Sequence, residues 1–279
     1  TLTFTSNGLT ATSQTIRLTH GVATSLALSG ATTAANDRTF GSSVVVDILD
    51  QDSNQVTTGS QSTQTISITV AEATLTGTRQ LSATAGRATF STLKLVGTVG
   101  TKVLTAAIAS PAEITNTRNI VLGFGDATRL VISTEASGFV NRVAFSTQPA
   151  ITAQDSSGNT VTNFSPQVSV TATRVGGGGS ATITGTLART PGSGVATFTN
   201  LRLDGTVGQY DLTFGAAGVS ATTQRVTLTH GAATAVVLTG ATTASNARTI
   251  ATNVVAEIQD ADANRVTTGS DSSLSLIHI

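Results

Sequence analysis

The first candidate chemistry in this 279-residue chain lies in five residues with oxygen ligands at alternate positions, Asp50-Gln51-Asp52-Ser53-Asn54. The cluster recurs as Asp260-Ala261-Asp262-Ala263-Asn264. Calcium loops begin this way, because Ca2+ takes about six to eight oxygens. Asp50, Asp52, Asn54, Asp260, Asp262 and Asn264 are therefore candidate calcium ligands. The rest of an EF-hand loop does not follow. Its sixth position needs Gly and holds Gln55 or Arg265; its twelfth needs Glu and holds Gln61 or Asp271. A tight turn between strands is the simpler reading, since Asp and Asn bond their own backbone and tolerate left-handed angles.

The remaining candidates are thinner. His20 and His230 precede corresponding glycines, but a third copy of that place holds Phe124, so packing fits better than ligation. Gly176-Gly177-Gly178-Gly179-Ser180 lacks the Gly-Lys-Ser/Thr and the helix of a phosphate loop and reads as a flexible connection between strands. Tyr210, the only tyrosine, follows Gly208 as in the tyrosine corner of immunoglobulin sandwiches. Lys94 and Lys102 are the only lysines; Arg202 and Tyr210 replace them in the other copy, so no shared Lys–Asn crosslink is available. Asn163-Phe164-Ser165 is a glycosylation sequon. No Ser-His-Asp set survives from copy to copy, so no enzyme is expected and no cofactor beyond the candidate calcium.

These residues are placed by repeats. Leu18-Thr19-His20-Gly21 returns as Leu228-Thr229-His230-Gly231, an offset of 228 − 18 = 210, and residues 18–60 align without a gap on 228–270 with 26 identities. Gly125-Asp126-Ala127-Thr128 is a weaker copy midway. The unit is thus about 105 residues. Residues 1–20 read as the closing strands of a truncated unit, 21–124 as module A, 125–230 as module B, and 231–279 as the opening of another A-type unit. Leu274–Ile279 departs from the repeat and reads as a foreign tail.

Within a unit the apolar period is two, the mark of strands. Val44, Val46 and Ile48 correspond to Pro149, Ile151 and Ala153 in B and to Val254, Ala256 and Ile258 in the third unit. The position between, Asp47, Thr152 or Glu257, is expected to face water. Phe90 and Phe198 share a face with Ala88 and Ala196 and should be core residues. About seven strand-like runs per unit, spaced by Gly, Asn, Asp and Ser, predict an all-β chain of tandem immunoglobulin-like β-sandwich modules. Apolar residues run up to each boundary with no linker composition, so end-to-end stacking with limited bending is expected. Alternating A and B also separates identical neighbours, which otherwise exchange strands and misassemble.

Composition narrows the function. Fifteen basic and fifteen acidic residues cancel, leaving no basic footprint for nucleic acid. Charged residues make up 11%, with Ser, Thr, Gly and Asn supplying polarity, a pattern associated with outer-surface or secreted proteins. There is no cysteine and no apolar run long enough to span a membrane.

The segments Ala127-Thr128-Arg129-Leu130-Val131-Ile132, Gln148–Thr162, Gly194-Val195-Ala196-Thr197-Phe198-Thr199-Asn200-Leu201 and Gly208-Gln209-Tyr210-Asp211-Leu212 resemble the bacterial immunoglobulin-like (Big-type) repeats of large surface and secreted proteins. Module A departs from the pattern at Lys102 and Ser53, where Tyr210 and Gly158 stand in B. The resemblance implies an extracellular or cell-surface spacer or stalk in a bacterial adhesin. Its modules, about 30–40 Å long at roughly 3.3 Å per strand residue, would have their neighbours in the chain as partners and any host or cell-surface ligand elsewhere in the parent. Two alternatives stay open: a binding module whose B loops, including Gly176–Gly179, touch a glycan or host receptor, and accessory repeats of a secreted enzyme.

Overall fold

The computed structural model describes residues 1–109, 113–243, 245–246 and 253–273. Among them the chain is all β, with two short 3-10 turns and no helix long and apolar enough to cross a membrane. It divides into two compact units, Thr1–Gly125 and Asp126–Ile279. The foreign-looking stretch 274–279 lies outside the described residues.

Unit 1 carries β1 (Leu2–Phe4), β2 (Thr12–Gln14), β3 (Ser25–Gly30), β4 (Thr33–Ala35), β5 (Val44–Leu49), β6 (Thr65–Val70), β7 (Thr74–Thr76), β8 (Gln80–Ser82), β9 (Arg87–Phe90), β10 (Lys94–Val96), β11 (Gly100–Ile108) and β12 (Ile114–Gly123). One sheet runs β3-β5-β9 and the other β4-β12-β11-β6-β8, with β7 and β10 paired beside them. Val44, Val46 and Ile48 on β5 and Phe90 on β9 join Ile66, Ile68, Leu104, Ala106, Ile108, Ile120 and Leu122 of the second sheet in one buried core. That is a two-sheet sandwich, and the period-two pattern produces it by sending alternate side chains inward. The strands are shorter and more numerous than the sequence suggests, because Gly30 and Gly77 interrupt longer runs at positive φ.

Among the described residues every strand pairing in this unit is antiparallel except one: β4 runs parallel to β12, Thr33 opposite Val121 and Ala35 opposite Gly123. The chain therefore changes sheets between β3 and β4. Three carbonyls at that crossing face the guanidinium of Arg118, which donates to Ala31 O at 2.8 Å, Leu28 O at 3.0 Å and Gly30 O at 2.9 Å.

Unit 2 carries β13 (Arg129–Thr134), β14 (Ala150–Gln154), β15 (Val168–Arg174), β16 (Ala181–Thr184), β17 (Ala188–Arg189), β18 (Val195–Thr197), β19 (Arg202–Gly205), β20 (Gly208–Gly215), β21 (Thr222–Leu228), β22 (Ala235–Thr239) and β23 (Val255–Gln259). Sheets β13-β14-β18 and β17-β15-β20-β21 repeat the sandwich, with β16 paired to β19. Phe198 and Phe214, both fully buried, meet at 5.4 Å between ring centroids. Thr152, expected to face water, is instead 7% exposed. It sits on the middle strand of its sheet, between Val131 on β13 and Val195 on β18, whose side chains flank it. Farther along unit 2 β22 pairs with β23, and Val254 and Ala256 are exposed while Ile258 is half-buried.

Candidate functional site

The acidic motif folds into the same turn in all three copies. The first Asp donates its N–H to the carbonyl of the Asn four residues on, at 2.9 Å for Asp50, 3.0 Å for Asp155 and 2.9 Å for Asp260. The fourth residue donates back to the carbonyl of that Asp at 3.1 Å in each. It takes a left-handed angle, φ 65° at Ser53, 85° at Gly158 and 59° at Ala263. Gly158 takes that angle without strain, whereas Ser53 and Ala263 hold it at some cost in backbone energy.

The carboxylate of the first Asp is wrapped in N–H donors. Asp50 accepts the Gly21 amide at 2.7 Å, the Asp52 amide at 3.0 Å, the Asn54 amide at 2.8 Å and the Asn54 side chain at 3.2 Å. Asp260 accepts the matching four from Gly231, Asp262 and Asn264, and a further one from Asn141 Nδ2 at 2.9 Å. The Gly21 amide, chiefly, holds the Asp50 carboxyl below the usual carboxylate range. Burial pushes Asp260 up, but the Gly231 amide and the Asn264 and Asn141 side chains outweigh it and hold it well below that range. Nitrogen–hydrogen groups compensate the buried charge here and cannot themselves ligate a cation. Among the described residues no group of three or more His, Cys, Asp or Glu is arranged to hold a metal ion.

In unit 2 this turn packs against the Asn141–Arg142 loop and the turn between β19 and β20. Asn141, 2% exposed, reaches Asp260 and also donates to Asp262 Oδ2 at 2.6 Å, while its own Oδ1 accepts the Gly205 amide at 2.9 Å. Asn264 accepts the Val207 amide at 2.8 Å and donates to Gly205 O at 2.9 Å. Arg142 closes the edge with a two-pronged pair to Asp262, Nε to Oδ2 at 2.7 Å and Nη2 to Oδ1 at 2.8 Å. That bond is the main reason Asp262 is held low and Arg142 is pushed up. Gly231 lies under the joint, where a Cβ would stand 2.8 Å from Asn141 O. The candidate ligands Asp260, Asp262 and Asn264 are thus brought together against the Asn141–Arg142 loop and the turn after β19.

His230 braces the same turn region. Its Nε2 faces Thr268 Oγ1 at 2.9 Å and accepts the Thr268 amide at 3.3 Å, and its Nδ1 meets Gly231 O at 3.0 Å. His20 repeats this with Thr58 and Gly21, at 2.9, 3.1 and 2.9 Å. An Nε2 that accepts an amide leaves the ring proton on Nδ1.

Tyr210 donates to Thr206 O, four residues upstream, at 2.6 Å, which is tyrosine-corner geometry. In A the ammonium of Lys102 reaches Thr98 Oγ1, also four residues upstream, at 3.4 Å. Arg174 links three features of B: it donates to Gly176 O at 3.0 Å, to Tyr210 Oη at 2.8 Å and to Val207 O at 3.1 Å. The glycine-rich loop is therefore tied to the residue whose amide meets Asn264. Asn163 is exposed.

Asn141, Arg142, Gly205 and Val207 carry no motif that singles them out. One signal was present: Asn36 stands in A where Asn141 stands in B, and its Oδ1 accepts the Gly97 amide at 2.9 Å just as Asn141 accepts that of Gly205.

No protein-family model matches this chain, and no curated protein matches it. Among solved structures, the Escherichia coli adhesin FdeC is similar over 88% of this chain and 77% of its own, at 16% identity and TM-score 0.42. The Yersinia pseudotuberculosis adhesin InvE is similar over 73% of this chain and 58% of its own, at 17% identity and TM-score 0.31. A β-glucuronidase of Parabacteroides merdae is similar over 72% of this chain, at 10% identity and TM-score 0.26, and the chain spans 24% of that enzyme's length.

Proposed function

We propose that this chain is a non-catalytic spacer: a run of immunoglobulin-like modules that holds a distant part of a bacterial surface or secreted protein away from its anchor. The observation that carries the reading is the joint between B and the next unit. The turn Asp260–Asn264 meets the loops of B through directed hydrogen bonds: Asn141 and Arg142 donate to Asp260 and Asp262, and Asn264 accepts the Val207 amide. A joint of that kind transmits orientation along the chain, which a spacer requires and a tethered binding head does not. The low charge and hydroxyl-rich composition support an extracellular location.

The spacer needs no metal. The carboxylates of Asp50, Asp260 and Asp262 are already engaged by N–H donors, which would have to be given up to bind a cation. Adding Ca2+ to chelator-treated protein is expected to give no calorimetric heat at millimolar metal, no rise in melting temperature and no change in the scattering-derived maximum dimension. Saturable heat lost in an Asp50→Asn, Asp260→Asn variant would restore the calcium reading. Catalytic turnover by this chain, or glycan binding abolished by trimming Gly176–Gly179, would replace the spacer reading outright.

A further inference from the structure

We infer that the closing end of module B is a selective acceptor for an A-type successor, and that Arg142 and the second carboxylate of the incoming turn, Asp262, are the pair that reads module type. The inference goes beyond the spacer reading: it concerns which residues make one module type dock more firmly than the other, and it stands or falls on the joint alone.

Most of the joint is common to both module types. The first Asp and the closing Asn of the turn occur as Asp50 and Asn54, Asp155 and Asn159, Asp260 and Asn264. The receiving Asn occurs as Asn36 and Asn141. Those groups do not distinguish the two module types. The variable positions are the two that form the ion pair. The incoming turn carries Asp52 or Asp262 in A-type units and Ser157 in B. The receiving loop carries Arg142 in B, whereas A has Asp37 at that place and moves its arginine one residue on, to Arg38. Asp37 and Arg142 share the same backbone setting, φ 56° and 64°, so the exchange changes side-chain charge at one fixed direction.

A B-type turn offered to the closing end of B would leave Arg142 facing a serine hydroxyl. The fork would then lose both of its charge-assisted bonds. The pair is partly exposed, 52% at Arg142 and 19% at Asp262, so its contribution is modest in isolation. The covalent chain fixes the order of the modules; the pair sets how firmly a given successor docks, through the difference between an aspartate and a serine at one position.

The test uses the full chain, whose lack of cysteine allows a nitroxide pair at Thr171→Cys in B and Thr239→Cys in the next unit, both exposed. Asp262→Ser recreates the B-type turn, and Arg142→Glu opposes like charges. Each is expected to broaden the inter-label distance distribution and to lower protection of the Val207 amide by about fivefold to tenfold. Arg142→Glu combined with Asp262→Arg should restore both readouts toward the parent. Protection of Phe214 in the core of B serves as the folding control and should stay unchanged. A narrow distribution and unchanged Val207 protection in Asp262→Ser would overturn the inference, as would failure of the reversed pair to recover while Phe214 remains protected.

Discussion

Arg118 and Gln224 occupy matching places on the last strands of the two sandwiches and satisfy the same backbone by different chemistry. Each faces a buried alanine where the chain leaves its first strand, Ala31 in A and Ala136 in B. Arg118 spreads three charge-assisted bonds over Leu28, Gly30 and Ala31. Gln224 instead makes a reciprocal pair with Ala136, accepting its N–H at 2.9 Å and donating to its carbonyl at 2.8 Å. A buried backbone group left without a partner costs about 1–3 kcal/mol. Arg118→Ala and Gln224→Ala are therefore each expected to destabilise their own unit by about 2 kcal/mol in urea unfolding and leave the other unit's transition in place. A conservative Arg118→Lys, which keeps charge but loses the fork, should recover less than half of the loss. Equal melting of parent and Arg118→Ala would show that the strand crossing is held by the sheets alone.

At the scale of strands and turns, the sequence exposes whatever recurs locally and hides whatever depends on a distant partner. The faces of Val44, Val46 and Ile48 and of Phe90 and Phe198 are readable because inward positions alternate and are copied. Thr152 is misread because burial on a middle strand depends on what stands over it, which one strand's pattern does not encode. The acidic turn is readable as a turn from its Asp and Asn. Its use as a joint is not, because Asn141 and Arg142 lie about 120 residues away in sequence. Glycines mark a second kind of copy. A Cβ on Gly77 would stand 2.1 Å from Thr92 O, and one on Gly185 would stand 2.1 Å from Asn200 O, with both glycines at positive φ. The close approach of β7 to the chain before β10, and of the end of β16 to the chain before β19, leaves no room for a side chain. Gly185→Ala combines steric overlap with backbone strain and should cost module B at least about 2 kcal/mol in unfolding free energy. Gly192→Ala, whose Cβ meets nothing, is the matched control and should stay within about 0.5 kcal/mol. A Gly185→Ala change as small as that of Gly192→Ala would show that the chain at Gly185 shifts to admit a Cβ at no cost.

For the molecule as a whole, acid probes the joint and the turns together. Asp50 is held below the ordinary carboxylate range chiefly by the Gly21 amide, and Asp262 and Asp211 chiefly by Arg142 and Arg225. Asp260 is held there against its own burial. In the unfolded chain these groups return to about 3.9. Below that point the unfolded state binds protons that the folded state refuses, so the stability these groups contribute is complete at about pH 5 and above and drains away as pH falls. The exposed Asp211–Arg225 pair contributes least, because solvent screens it. Asp260 contributes most to the slope, since its carboxylate is buried and every oxygen is engaged; one proton taken up on unfolding tilts the free energy by about 1.4 kcal/mol per pH unit. Urea unfolding of the full chain from pH 6 to pH 2 should show a steep acid limb in the unit containing Asp260. Asp260→Asn is expected to lower that unit's stability at pH 6, because an amide nitrogen would face the Gly231 and Asn264 donors, and to flatten the acid limb at the same time. The two effects separate the carboxylate's charge from its shape. A variant as steep in acid as the parent would mean that protons taken up elsewhere drive acid unfolding and that the joint holds with its carboxylate neutral.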